Sequence, residues 1–413
     1  MRLPIFLPQR LALLALALGL LALPSLSALP KADAQWVGTW GTSPMAEPAA
    51  KAPGDLTGGT LRQVVHVSLG GTALRIRISN TFGQAPLVLH GAHVALSAGR
   101  DAIAPGTDTP LLFGGRASVT VPAGASFVSD PVDFALPDQA DLALSLHFAR
   151  VPETLTFHGG SRTTSYFLAG DALAAPSMPE AARWVRWCFI TGIEVVNTNP
   201  RAATLALLGD SITDGYGTTT DTNQRWPDEL VRRLRQRQDL VPLGTLNMSI
   251  GGNRLLRDGN GPSALARLDR DILCQVGTRW LLVFIGINDL GTRLDARKKG
   301  ADYASLDDLL VAYRQIIQRA KGRGLRVIGA TITPYEGNVG YWCEDGEQDR
   351  QALNTWIRTS GLFDAVVDFD AALRDPEKPT RLAPAFDCGD HLHPSLEGYR
   401  RLAEAVPLDL FRD

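Results

Sequence analysis

No sign of charge dominates this chain. Its 41 lysines and arginines are balanced by 43 aspartates and glutamates, giving a net charge of −2. There is therefore neither a basic footprint for nucleic acid nor a Lys/Arg block for an anionic membrane surface. No repeat of fixed period runs through the 413 residues, and low complexity is confined to Ala/Pro/Gly patches. Cysteine is scarce, and none follows the N-terminal apolar run until Cys188, which excludes a lipid-anchored cysteine there. That run, LALLALALGLLAL (11–23), holds 13 residues, short of the ~20 that a membrane-crossing helix needs. With Arg2 and Arg10 ahead of it and the small residues Ala32 and Ala34 behind, it reads as a signal peptide over 1–34 that is cleaved on export. The expected location is secreted or periplasmic, with no stable membrane anchor afterwards.

Glycine and proline are plentiful, at 40 and 26 residues, and the first half of the mature chain shows why. In TALRIRISN (72–80), Leu74, Ile76 and Ile78 alternate with Arg75, Arg77 and Ser79, the period of a half-buried strand. Similar short runs recur between turn residues up to about residue 198, and no helix-length periodicity interrupts them. An antiparallel β-sandwich is expected over 35–198.

From Thr204 the pattern changes. Apolar segments at 205–208, 243–248, 280–285, 325–332 and 364–369 alternate with helical ones near 226–237, 263–274, 306–321, 347–358 and 396–405. Such alternation predicts an α/β domain over 199–413, a doubly wound parallel sheet covered on both faces. At 413 residues the chain is long enough for both domains. Ligands of such sheets sit beyond the carboxyl ends of the strands, where strand order reverses.

Four stretches fall at those ends. LALLGDSITDGYGTT (205–219) turns an apolar strand abruptly into Gly-Asp-Ser. LNMSIGGNRLL (246–256), FIGINDLGT (284–292) and FDCGDHLHPSLEGYRRLAEAV (386–406) follow. Together they offer what acyl transfer requires. A serine hydroxyl is a weak nucleophile and needs a base, usually histidine held by a carboxylate. Only His391 and His393 of the seven histidines lie in the α/β half. Asp390, three residues before His393, suits a tight turn that holds the imidazole. His391 reads as a surface neighbour, and Ser395 as a helix cap. The N–H groups of Ser211 and Gly252 and the side-chain amide of Asn288 are candidate oxyanion donors. Asp210 and Asp289 read as loop-fixing residues, and Asp214 equally as a solvated or a site-lining one. A zinc site around His391, His393, Asp387 and Asp390 lacks a further histidine. No glycine loop has a spacing that cradles phosphate. Neither metal nor cofactor is expected.

These four blocks resemble the SGNH, or GDSL, hydrolase superfamily. The resemblance implies a flavodoxin-like sheet and a nucleophile at Ser211. It also implies oxyanion donors at Ser211, Gly252 (with Gly251 a rival) and Asn288, and an Asp-x-x-His pair at Asp390 and His393. Ile212 stands where the family name has leucine. WVGTWGTSP (36–44), RISNTFG (77–83), GGSRTTSYF (159–167) and ITGIEV (190–195) resemble an exported bacterial branch similar to xylan-cluster acetyl- and arylesterases. The implied function is a serine esterase removing short acyl groups, acetyl above all, from carbohydrate or a small ester. The alternatives are a lysophospholipase or short-chain lipase, and a glycan-binding protein with a degenerate hydrolase domain. The β-domain reads either as a glycan binder or as a structural unit over the active-site rim. Export permits disulfides, and Cys343 and Cys388, both on the carboxyl-end face, are expected to pair. Cys188 and Cys274 either pair across the domain boundary or stay as thiols.

Overall fold

The computed structural model describes residues 35–412; the expected signal peptide lies outside them. Two hydrophobic cores divide the chain. One gathers residues from Val37 to Ala202, the other residues from Ala203 to Phe411.

The first core is enclosed by antiparallel sheets. In one, strand Ile190–Val196 lies between Trp36–Gly41 and Gly71–Ser79. In another, Asp141–Arg150 lies between Gly59–His66 and Leu87–Gly99. Alternation decides which residues face inward: Leu74, Ile76 and Ile78 are fully buried, while the intervening Arg75 and Arg77 pair with Glu194 at 2.5 and 2.6 Å. A third small sheet joins Met45–Pro48, Thr154–His158 and Trp187–Cys188, and it carries the chain toward the second core.

The second core surrounds a parallel sheet. Its strands, in chain order, are Ala203–Gly209, Leu243–Asn247, Thr278–Phe284, Arg326–Ala330 and Ala365–Val367. In space the second strand lies outside the first, and the third, fourth and fifth follow on the other side. The order therefore reverses at the first strand, which ends at the Gly-Asp-Ser turn. All seven residues of that strand are buried, as a strand covered on both faces requires. Helix Leu306–Lys321 begins with a reciprocal cap, in which Ser305 accepts from the Asp308 N–H and Asp308 accepts from the Ser305 N–H. It buries Leu309, Ala312, Tyr313, Ile316, Ile317 and Ala320, the stripe of a helix lying on a sheet. Ser395 caps Leu396–Ala405 by accepting from the Gly398 N–H at 3.1 Å.

The halves join along the outer edge of the parallel sheet. The Gly38 N–H donates to Thr204 Oγ1 at 2.9 Å, and the Thr245 N–H to Ser68 Oγ at 2.7 Å. Buried Arg267 donates to Ser43 Oγ at 2.8 Å, and Ser43 Oγ donates to the Met248 carbonyl at 3.0 Å.

The expected disulfide between Cys343 and Cys388 is absent, since all four cysteines are free. Sharing a face of the sheet does not bring the two sulfurs together. Cys343 opens helix Glu344–Thr359 with its thiol toward Gly346 and Asp345. Cys388 sits on the exposed turn before Asp390, its thiol within 4.8 Å of that carboxylate. Cys188 is buried in the first core and Cys274 is exposed, so that pair is not formed either.

Candidate active site

Asp210 and Ser211 stand at the tip of the first parallel strand. The Asp210 carboxylate accepts from the Ile212 N–H at 3.1 Å, starting the one-turn helix Ser211–Asp214. Ser211 is thereby fixed at the mouth of a cleft of about 520 Å³. Its hydroxyl lies 2.8 Å from His393 Nε2, and His393 Nδ1 lies 2.6 Å from Asp390 Oδ2. The other Asp390 oxygen accepts from the Leu392 and His393 N–H groups at 2.9 and 2.8 Å. The Asn338 side chain donates to the Asp390 carbonyl at 2.8 Å. The turn thus aims the carboxylate at the imidazole through several independent bonds. The structure brings the sequence-predicted Ser211, Asp390 and His393 into one line.

Burial lowers the His393 pKa below its ordinary value; Asp390 opposes this, and Arg162 adds to it. Burial would raise Asp390, but the His393 N–H, the His393 ring and the Leu392 N–H outweigh it and hold the carboxylate low. Tyr216 lies over the imidazole, with ring centroids 4.0 Å apart, and its carbonyl accepts from the Tyr399 hydroxyl at 2.6 Å.

The three expected oxyanion donors also meet here. Asn288 Oδ1 accepts from the Tyr341 hydroxyl at 2.9 Å, and its amide nitrogen donates one hydrogen to the Asn253 carbonyl at 2.9 Å. That fixes the amide orientation and leaves its second N–H in the cleft. Between the two glycines, hydrogen bonding decides. The Gly251 N–H is occupied by Asp214 Oδ2 at 3.1 Å, whereas the Gly252 N–H meets no acceptor among the described residues. Gly252 has φ +73°, and a Cβ there would come within 2.6 Å of the Asn260 amide, so glycine is required.

Asp210 and Asp289 hold loops. Burial pushes the Asp210 carboxyl up to about 7 and the Asp289 carboxyl to about 6. Neither lines the cleft, and Asp289 accepts from the Leu255 N–H at 2.9 Å. His391 is exposed and pairs with Asp387 at 2.5 Å, away from Ser211. Asp387, Cys388 and Asp390 approach one another within 4.8 Å. Their carboxylates already accept protein N–H bonds, Asp387 from Gly389 and His391, and Asp390 from Leu392 and His393.

What the sequence left undecided is Asp214, and what it missed is the partner of Asp214. Asp214 is buried, and its Oδ1 lies 2.9 Å from Nε2 of His158, a residue of the N-terminal half. His158 Nδ1 faces the Ser43 carbonyl at 2.9 Å. The chain His158–Asp214–Gly251 therefore ties the N-terminal half to the glycine loop. A Cβ on Gly160 would lie 1.9 Å from Asp214 Oδ2, so the HGGSR segment that follows His158 must be glycine at that point. A histidine followed by two glycines at a strand end was the available signal. Replacing Asp214 by asparagine or His158 by alanine is expected to lower kcat by about 10–10²-fold with little change in KM, as misplacement of a donor does. The double variant should lose no more than the worse single one, because both act through one link. Steady-state kinetics on a neutral ester checks this, and additive losses would refute the link.

Residues 207–401 match the GDSL-like lipase/acylhydrolase family. The α/β half is a GDSL-like acylhydrolase. The enzyme is accordingly a carboxylic ester hydrolase, and the resemblance seen in the blocks holds. No curated protein matches the sequence. Solved structures similar to about half of this chain include a GDSL-like lipase from Bacteroides thetaiotaomicron, at 18% identity and TM-score 0.37, covering 49% of this chain and 84% of its own. An acetylxylan esterase from Geobacillus stearothermophilus is similar at 24% identity and TM-score 0.37, covering 49% and 91%. An α/β hydrolase from the metagenome of Lake Arreo, Spain, is similar at 20% identity and TM-score 0.39, covering 49% and 92%.

Proposed function

We propose that this acylhydrolase is a serine esterase acting through an acyl-enzyme on short acyl groups, acetyl above all, carried by a carbohydrate or another polar alcohol. The observation that carries this reading is the line from Ser211 through His393 to Asp390. His393 Nε2 removes the serine proton as Oγ attacks the ester carbonyl, and Asp390 orients the ring and stabilises its charged form. The oxyanion is received by the Ser211 and Gly252 N–H groups and the Asn288 amide. His393 then protonates the leaving alcohol and activates the water that releases the acid.

The cleft lining favours a polar substrate over a long acyl chain. Among its described residues the apolar side chains are Met45, Phe157 and Leu392, set among arginine, asparagine, tyrosine and carboxylate groups. The continuous apolar trench a lipase needs is missing from that lining. We read residues 35–198 as a β-sandwich that forms one wall of the cleft and 199–413 as a flavodoxin-like, doubly wound domain. The two separate cores and the strand order support this reading. Export rests on the N-terminal apolar run; no described helix is long and apolar enough to cross a membrane. The direct test sets acetylated xylan and acetylated sugars beside p-nitrophenyl esters of rising chain length and lysophospholipids. Rates falling steeply beyond short acyl groups are expected, and a preference for long chains or lysophospholipids would overturn the assignment.

The base must be neutral to accept a proton, so activity is expected to rise with pH through the titration of His393. Because burial lowers that pKa, the acid limb should lie below the ~6.5 of an ordinary imidazole. The activity should also survive chelators. A pH–rate profile of kcat/KM with and without EDTA checks both, and loss to EDTA restored by zinc would contradict the metal-free mechanism.

A further inference from the structure

Two arginines of the cleft meet none of its carboxylates. Its carboxylates are all engaged: Glu47 with Lys51 at 2.5 Å, Asp214 with His158 at 2.9 Å, and Asp390 with His393 at 2.6 Å. Arg162 and Arg186 line the same cleft, yet neither has a carboxylate within 4.0 Å among the described residues. Elsewhere arginines are paired repeatedly, even deep inside, as Arg350 is with Glu347 and Asp370. Buried Arg62, which also lacks a carboxylate, spends its donors on Ser145 Oγ and on backbone carbonyls; a cleft arginine with donors unspent is open to an anionic ligand.

Arg162 is also held in place. Its backbone is left-handed, with φ +46°, a conformation that a side-chain-bearing residue adopts only when its surroundings impose it. Here they do. The Arg162 carbonyl accepts from the Asp221 N–H at 2.9 Å. The Asp221 carboxylate in turn accepts from the Thr164 N–H and hydroxyl at 2.6 and 2.7 Å. The guanidinium ends 5.5 Å from the Tyr216 ring centroid, on the ring that stacks on His393, and its buried Nε has no partner. Arg186 spends Nη1 on the Gly159 and Val185 carbonyls at 3.2 and 2.7 Å, leaving its other donors unused among the described residues.

Position assigns Arg162 to one part of the substrate, and Arg186 lines the same cleft. His393 must give its proton to the leaving alcohol, so the alcohol lies on the imidazole side of the scissile bond. That side is walled by Tyr216 and Arg162. We propose that Arg162 and Arg186 form an anion subsite for the alcohol part, and that the preferred substrate is an ester of a carboxylate-bearing sugar. Two planar, forked guanidinium groups suit a carboxylate, which accepts paired N–H bonds. This rests on the esterase reading above and refines it.

The test compares O-acetyl glucuronate with the O-acetyl sugar whose carboxyl is blocked as its methyl ester, together with O-acetyl glucose 6-phosphate. The wild-type enzyme is expected to favour the free carboxylate over the methyl ester by about tenfold or more in kcat/KM, the worth of a charge-assisted hydrogen bond. The preference should appear mainly in KM and shrink with added salt. Arg162→Gln and Arg186→Gln should each reduce that ratio, and the double variant should bring it near unity. Turnover of the methyl ester by each variant reports that the fold is intact. A wild-type ratio near unity, or one that survives both substitutions, would overturn the subsite while leaving the esterase standing. A preference for the phosphate-bearing ester over the carboxylate would overturn the assignment to a sugar acid. No turnover of any of the esters would sink the esterase reading and the subsite with it.

Discussion

Turnover is expected to fall by about 10⁴–10⁶-fold when either Ser211 or His393 is replaced by alanine, and the double variant to lose little more. The reason is that one proton moves along one line. Ser211 Oγ and His393 Nε2 are 2.8 Å apart, so removing the serine removes the nucleophile, and removing the histidine leaves a hydroxyl too weakly acidic to attack at neutral pH. Neither residue retains a partial function without the other. Asp390→Asn should cost about 10⁴, because an amide can no longer orient the imidazole as the carboxylate does. Active-site titration and kcat on a p-nitrophenyl acetate substrate measure all three. A single alanine variant with near-wild-type turnover, or a double variant that multiplies two independent losses, would refute the assignment. None of these variants should unfold the chain, since Ser211 and His393 line the cleft instead of filling either core.

That line of residues was legible in the sequence because its parts lie at strand ends, and strand ends are marked by where apolar runs stop. Leu205 to Leu208 stop at Gly209, and the structure ends the strand there. The fourth and fifth strands were less legible. The apolar run 325–332 outlasts its strand, which stops at Ala330. Beyond it the Ile332 N–H bonds to the Asn354 side chain at 2.7 Å, and the Ile332 carbonyl accepts from Arg350 at 2.8 Å. Side chains satisfy that backbone instead of a neighbouring strand, and hydrophobicity cannot distinguish the two. Asp214 was ambiguous for a related reason. Its role depends on His158, 56 positions earlier, and no local pattern couples a histidine at the end of one β-strand to a carboxylate in the other core. The disulfide failed because a shared face places residues only to within the width of the sheet, whereas a bond between sulfurs needs Cβ atoms about 3.8 Å apart and pointing together. Gly251 and Gly252 are indistinguishable as letters. Only the bond from Gly251 to Asp214 separates them.

The same distinction between glycines sets the second large effect. Asn288→Ala is expected to lower kcat by about 10²–10³-fold, as the loss of one preorganised oxyanion donor does. KM should change little, because the ground-state carbonyl makes weaker use of that amide than the tetrahedral oxyanion does. Gly252→Ala should have a comparable effect by another route. A Cβ there meets the Asn260 amide at 2.6 Å, and φ +73° disfavours any side chain, so the loop must shift and carry its N–H out of line. Tyr341→Phe separates donor loss from loss of orientation. It removes the hydroxyl that bonds Asn288 Oδ1 at 2.9 Å while leaving the amide present, so its effect should lie between those of wild type and Asn288→Ala. Combining Asn288→Ala with Tyr341→Phe should add nothing further, since the tyrosine acts only through that amide. If Asn288→Ala raises KM and spares kcat, the amide binds substrate and does not receive the oxyanion. In that case Tyr341→Phe should raise KM in parallel.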